Sequence, residues 1–284
     1  MRLSLLVPAP FNAISGGYEY DRRMVDGLRA RGHVVQVYEL GGTHPLPDDK
    51  ATDAALVAWA AQPRDSIVMI DGLGLPAFED LVAEMEHRPC VGLIHHPTSL
   101  EAGHDEATRE ALLAAERILF SKLLGIITTS DETAEKLVRE FGVDRGAITV
   151  VVPGTDAAER SKGSGRTTCH ILSVGTLVPR KGHDILLRAL GGLKDLDWRL
   201  TIAGSADRSP SCAAELAALA ASLGMADRVV FAGEVPQESL ELLWQQSDMF
   251  ALATYWEGYG MAVAEALKRG LPVAVCSGGA AGHL

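Results

Sequence analysis

The sequence has no run of 18 apolar residues, so it contains no stretch long enough to cross a bilayer as a helix. It has little cysteine: four residues, at 90, 169, 212 and 276, with no C-x-x-C pair and no histidines at zinc-type spacing. That scarcity argues against a disulfide framework and against a metal site. The thiols are expected to be buried and free in a reducing compartment. Positive charge is also short, with 26 Lys and Arg against 37 Asp and Glu, a formal net charge of −11. So acidic a chain is not suited to nucleic acid, and membrane contact is expected to be peripheral at most. The apolar run after Met1-Arg2 ends by Pro8, too soon for a signal peptide, and the expected location is the cytoplasm.

What is present is a regular alternation of strand and helix patterns. A chain of 284 residues, 47% hydrophobic and 22% charged, can hold two α/β domains with separate cores. Short apolar runs read as strands at Leu3–Val7, Val34–Tyr38, Ile67–Ile70, Val91–Ile94, Gly125–Thr129 and Ile148–Val152. Helix patterns lie between them: one through Met24, Val25 and Leu28 to Arg31 after the Ser15-Gly16-Gly17 turn, then 51–62, 107–124, and 131–141 behind the capping residue Ser130. In 107–124 the apolar positions are 111, 112, 115, 118, 119 and 123, which predicts a core-facing stripe.

Residues 157–168 form the most linker-like segment, and the strand count then restarts at His170–Val174, Arg199–Ala203, Val229–Ala232, 248–253 and 272–276. The expected fold class is therefore α/β, with two Rossmann-like domains, 1–156 and 169–284, facing a cleft. Residues 1–155 carry 14 Lys and Arg against 23 Asp and Glu, whereas the remainder carries 12 against 14. A nearly neutral second half can still concentrate positive charge at one ligand site.

The chemistry concentrates between Tyr255 and Val273. A strand pattern precedes this stretch, and a helix pattern, roughly Gly260 to Lys268, occupies its second half, with Gly270 as the helix stop. Gly258 and Gly260 stand where strand becomes helix, so the unpaired amides around Tyr259–Met261 can approach an anion closely. Glu265 inside the helix suits a ligand diol, because a carboxylate accepts two short hydrogen bonds from adjacent hydroxyls. An ordinary strand–turn–helix unit with Glu257 and Glu265 in solvent fits the same spacing. Elsewhere, Gly72-Leu73-Gly74-Leu75-Pro76-Ala77 nominally matches G-x-G-x-x-A, but it is not on the first strand and has a proline in its turn, so no dinucleotide site is assigned.

Glu257-Gly-Tyr-Gly-Met-x3-Glu265-Ala, followed by Gly270-Leu-Pro-Val, resembles the E-x7-E signature of the family 4 glycosyltransferases, retaining enzymes of the GT-B fold. The resemblance spans nearly the whole chain. Gly175-Thr176-x3-Arg180-Lys181-Gly182 is similar to the family's phosphate loop, in which an Arg and a Lys hold the donor pyrophosphate. Lys181 matches that Lys; Thr176 occupies the usual Arg position, and Arg180 is the candidate to replace it. Gly16-Gly17 matches the family's N-terminal glycine loop, and His95, rather than its neighbour His96, matches a histidine lying against the donor sugar.

The resemblance implies a hexosyltransferase that uses a nucleotide-diphosphate sugar as donor and a sugar or lipid-linked acceptor, without a metal or other cofactor. Glu257 would contact the donor sugar and Glu265 the ribose. Family members continue past the position of Gly278-Gly279, so the second domain is expected to be truncated. The alternative is a non-catalytic nucleotide-sugar-binding paralogue, favoured by that early end and by Thr176.

Overall fold

A computed structural model describes residues 1–101 and 103–284 and divides the chain into two compact units, Met1–Pro153 and Gly154–Leu284. The first contains β1 (Arg2–Pro8), α1 (Gly16–Ala30), β2 (Val34–Leu40), α2 (Asp49–Ala60) and β3 (Ser66–Asp71). A 3-10 turn at Leu75–Leu81 then leads into the short α3 (Val82–Met85). The unit continues with β4 (Cys90–Ile94), α4 (Glu106–Lys122), β5 (Gly125–Thr128), α5 (Asp131–Phe141) and β6 (Ile148–Val150). The second holds β7 (Cys169–Val174), α6 (His183–Gly191), β8 (Trp198–Ala203), α7 (Pro210–Ser222) and β9 (Val229–Gly233), then α8 (Gln237–Gln245), β10 (Met249–Leu252), α9 (Met261–Lys268) and β11 (Val273–Val275).

Each unit is built on one parallel sheet buried on both faces, which is why its strands read as unbroken apolar runs. Along β1 the pleat sends Leu5 and Val7 into a core under α1 with Tyr18 and Val25, and Leu6 into the opposite core with Leu40, Ile70 and Phe78. In the second unit Ile171 packs with Leu187 and Leu200, while Leu172 packs with Trp244, Phe250 and Val263.

The strand orders are β2-β1-β3-β4-β5-β6 and β11-β10-β7-β8-β9. In the first sheet the order reverses between β1 and β3, and in the second between β7 and β10. Ligands of open α/β sheets bind outside the carboxyl ends of strands at such reversals.

Three sequence expectations change. The stripe on α4 is widened: Leu112, Ala115, Leu119 and Leu123 are buried as expected, but Ile118 is 53% exposed and Glu116 and Phe120 are buried as well. Glu116 is held inside because its carboxylate accepts from the amides of Thr98 (2.5 Å) and Ser99 (3.1 Å). The cysteines are free, but only Cys90 and Cys212 are buried; Cys276 is exposed. Residues 157–168 contain no helix or strand, yet they are fastened to the second unit. Ser161 N donates to Arg269 O at 2.9 Å, and Ser164 N to Asp248 Oδ1 at 2.8 Å.

Gly182 lets the turn after β7 close against the end of β10. Its φ is +61°, and a Cβ there would lie 1.9 Å from Ala253 O. Gly182→Ala is expected to cost about 3 kcal/mol through combined strain and overlap. The midpoint of denaturant unfolding measures it.

Candidate functional site

In the second unit two loops meet where the sheet reverses. One follows β7 and carries Gly175, Thr176, Arg180 and Lys181; the other follows β10 and carries Tyr255 to Gly260. They are stitched together at Arg180, whose carbonyl accepts from Tyr255 N at 2.9 Å and lies 3.0 Å from the buried Thr254 hydroxyl. Lys181 Nζ then donates to Glu257 Oε1 at 2.6 Å. Arg180 Nη1 lies 3.7 Å from the same oxygen and donates to Trp256 O at 2.7 Å. Burial alone would raise the Glu257 carboxyl, but the charges of Lys181 and Arg180 outweigh it and hold the group below its ordinary value.

The Glu257 backbone is clamped as well, donating to Gly278 O at 3.1 Å and accepting from Ala280 N at 3.0 Å. Only glycine fits opposite it, since a Cβ on Gly279 would come within 2.3 Å of Glu257 O. Sequence reasoning did not pick out this Gly278–Ala280 brace. The Gly-Gly pair was visible, but its partner across the bridge was not.

Gly260, at φ +99°, is the N-cap of α9; its carbonyl accepts from Val263 N and Ala264 N, which leaves the amides of Met261 and Ala262 at the helix start. Glu265 lies within α9 and is half-buried. Gly175 leaves room for the Lys181 stem, as a Cβ there would sit 3.2 Å from Lys181 Cδ. Thr176 is half-buried, and its carbonyl accepts from Val178 N at 2.9 Å.

The first unit carries a second cluster. Ser15 caps α1, so Gly16 and Gly17 form the helix's first turn instead of the expected loop. Gly17 packs on His95, with 3.4 Å from its would-be Cβ to Cδ2 of the ring. His95 Nε2 lies 2.8 Å from Asp21 Oδ1 and 3.7 Å from Asp71 Oδ2. His96 instead lies near Glu101, at 3.8 Å. Burial would lower the His95 imidazole, but the two carboxylates outweigh it and raise it. Asp71 is pushed up to about 7, first by burial and then by the charge of Asp21, against the opposing pull of His95.

Asp21, Asp71 and His95 each place one donor atom within 4.8 Å of the others, a spacing that a divalent cation could also span. Neither aspartate was singled out from the sequence. The available signals were that Asp21 is one helical turn beyond Gly17, and that Asp71 ends a strand.

Two parallel sheets with charged residues at their strand reversals define a two-domain Rossmann-like protein. Residues 155–283 match the family model described as glycosyl transferases group 1. A D-inositol 3-phosphate glycosyltransferase of Mycobacterium sp. (strain KMS) is 33% identical over 165 residues, 54% of this chain and 37% of the relative. One from Corynebacterium diphtheriae is 27% identical over 215 residues, 68% of this chain and 50% of the relative. The chain thus matches half or less of these relatives' length. Sucrose-phosphate synthase from Thermosynechococcus elongatus superposes with a TM-score of 0.78 at 18% identity, over 98% of this chain and 82% of that one. HepE of Anabaena, in complex with UDP-glucose, gives 0.73 at 18% identity, over 100% and 82%. The fold is that of the GT-B glycosyltransferases.

Lys181→Ala would leave the buried Glu257 with Arg180 as its remaining nearby cation. The expected loss is about 1.5–3 kcal/mol, with Glu257→Ala non-additive to it in a double-mutant cycle of unfolding free energies. Asp71, whose folded value is raised from 3.8 to about 7, binds a proton more tightly folded than unfolded. Its contribution to stability therefore falls as pH rises across that window. Asp71→Asn should accordingly raise Tm more at pH 8 than at pH 4, as read by thermal melts at both.

Proposed function

We propose that the protein is a retaining glycosyltransferase that moves a hexose from a nucleotide-diphosphate sugar to an acceptor hydroxyl, in polysaccharide or glycolipid assembly. The observation that carries this reading is the cluster of Arg180, Lys181 and Glu257 at the ends of β7 and β10. Two cations against one anion leave net positive charge beside the first amides of α9. Breaking the sugar C1–O bond builds negative charge on the departing diphosphate, and preorganised N–H donors stabilise it without reorganising. An ammonium has three donors and a guanidinium five, so the bonds to Glu257 and Trp256 do not exhaust Lys181 and Arg180. Arg180 then takes the work of the arginine that Thr176 replaces.

Gly175 keeps the loop close to the phosphates, and Gly258, Tyr259, Gly260 and Met261 bring backbone amides to them. Glu265 accepts from the ribose diol and Glu257 from the sugar hydroxyls, and the resemblance assigns His95 a donor-sugar contact. The acceptor oxygen bonds to C1 on the face the diphosphate leaves, and the departing phosphate oxygen takes the acceptor's proton. Support for the donor class comes from the glycosyltransferase names of the relatives and from the UDP-glucose complex of HepE.

The test is release of nucleoside diphosphate from a panel of UDP-, GDP- and ADP-hexoses, with D-inositol 3-phosphate among the acceptors and NMR of the product anomer. Binding without release would make the protein a nucleotide-sugar-binding paralogue. Glu265→Ala and Lys181→Ala are each expected to lower donor turnover about tenfold or more, the loss of one charge-assisted contact. Unchanged kinetics in both would remove the site assignment.

A further inference from the structure

Several side chains converge on His95. Asp21, from α1, is completely buried and meets Nε2 at 2.8 Å; Asp71, at the end of β3, lies 3.7 Å from the same nitrogen. Asp21 also shares a side-chain hydrogen bond with Asp71, which together with its charge raises the Asp71 carboxyl. Gly17 fills the space beside Cδ2, and the Tyr20 ring stands edge-on at 5.2 Å, its hydroxyl tied to Val151 O at 2.9 Å. Tyr20 is neutral, its phenol pushed up to about 12 by burial and by Asp21. His95 retains 23% of its side-chain surface, so the ring is held at Nε2 yet still open to a ligand.

We propose that Asp21 is a positioning residue: it accepts from His95 Nε2–H and thereby orients the ring so that Nδ1 meets an oxygen of the substrate, as a donor when the ring is imidazolium and as an acceptor from a hydroxyl when it is neutral. This rests on the transferase reading for its use, but not for its geometry. A charged acceptor that holds one ring nitrogen decides the tautomer and orientation of the other. The partly buried pair also keeps the imidazole cationic over a wider pH range than a solvated histidine. The oxygen served is a sugar hydroxyl or a phosphate oxygen of the donor.

The test uses Asp21→Asn, which keeps the shape and removes the charge. The His95 ring resonance, assigned with His95→Gln, is titrated by NMR in the full chain. Loss of an opposite charge at this distance should lower its midpoint by about 1–3 units. Donor kcat/KM should fall about 10- to 100-fold through misplacement, most steeply at high pH, with Asp21→Glu recovering part of it.

The Asp21→Asn/His95→Gln double variant should lose no more than His95→Gln alone, because the two act as one. Deoxyhexose donors lacking one hydroxyl at a time separate the oxygens: loss of sensitivity to Asp21→Asn with one of them indicates that hydroxyl, and unchanged sensitivity with all of them the phosphate. An unmoved His95 titration, additive losses, or a stoichiometric divalent ion held by the three side chains would each overturn the proposal. Absence of nucleoside diphosphate release from the wild type would sink the transferase reading instead, and the NMR titration would still decide the pair.

Discussion

The buried ion pair between Lys181 and Glu257 is the interaction on which the second unit's site depends. Taking a carboxylate to 7% exposure costs several kcal/mol unless a cation meets it there. The partners are 76 residues apart, so they meet only because β10 lies beside β7 in the sheet. The chain order of the strands and the charge arrangement are therefore one constraint. If β10 were elsewhere in the sheet, Glu257 would be a buried charge without a partner. Glycines 182, 278 and 279 serve this constraint, each removing a Cβ that would overlap a backbone oxygen of the facing loop.

The first unit uses the equivalent place in its own sheet with the opposite charge balance. Two carboxylates and one imidazole gather where the β1/β3 reversal and the end of β4 come together. Burial forces them to share charge: Asp21 stays paired with His95 and Asp71 retains its proton to about 7. The more negative half of the chain thus holds Asp21 and Asp71 in one compensated cluster, while the nearly neutral half carries the net cationic one. Net charge by itself placed neither.

Much of the architecture was legible in the primary structure because local rules and burial agree. Helix α5 matches its expected bounds, 131–141, since Ser130 caps it and Gly142 ends it in the left-handed region. The strands were legible because both sheet faces are covered. The core-facing stripe of α4 holds at Leu112, Ala115, Leu119 and Leu123, but apolar periodicity cannot foresee that Glu116 will be drawn inward by two amides from a distant turn. Lys181, Arg180 and Glu257 were legible through a resemblance of loops, and the structure brings these three together. Gly16 and Gly17, read as a loop, became a helix start because Ser15 satisfies their first turn.

The amino-acid order alone determined the two α/β units and the glycine-marked turns where charged residues leave the strands. These follow from short-range patterning and from the need to cover both faces of a parallel sheet. Only the tertiary structure decided that Lys181 faces Glu257, that Gly278–Ala280 braces it, and that Asp21 and Asp71 converge on His95. Those are meetings of side chains far apart in the chain, and they exist because strand order and burial bring charges to distances at which each needs the others.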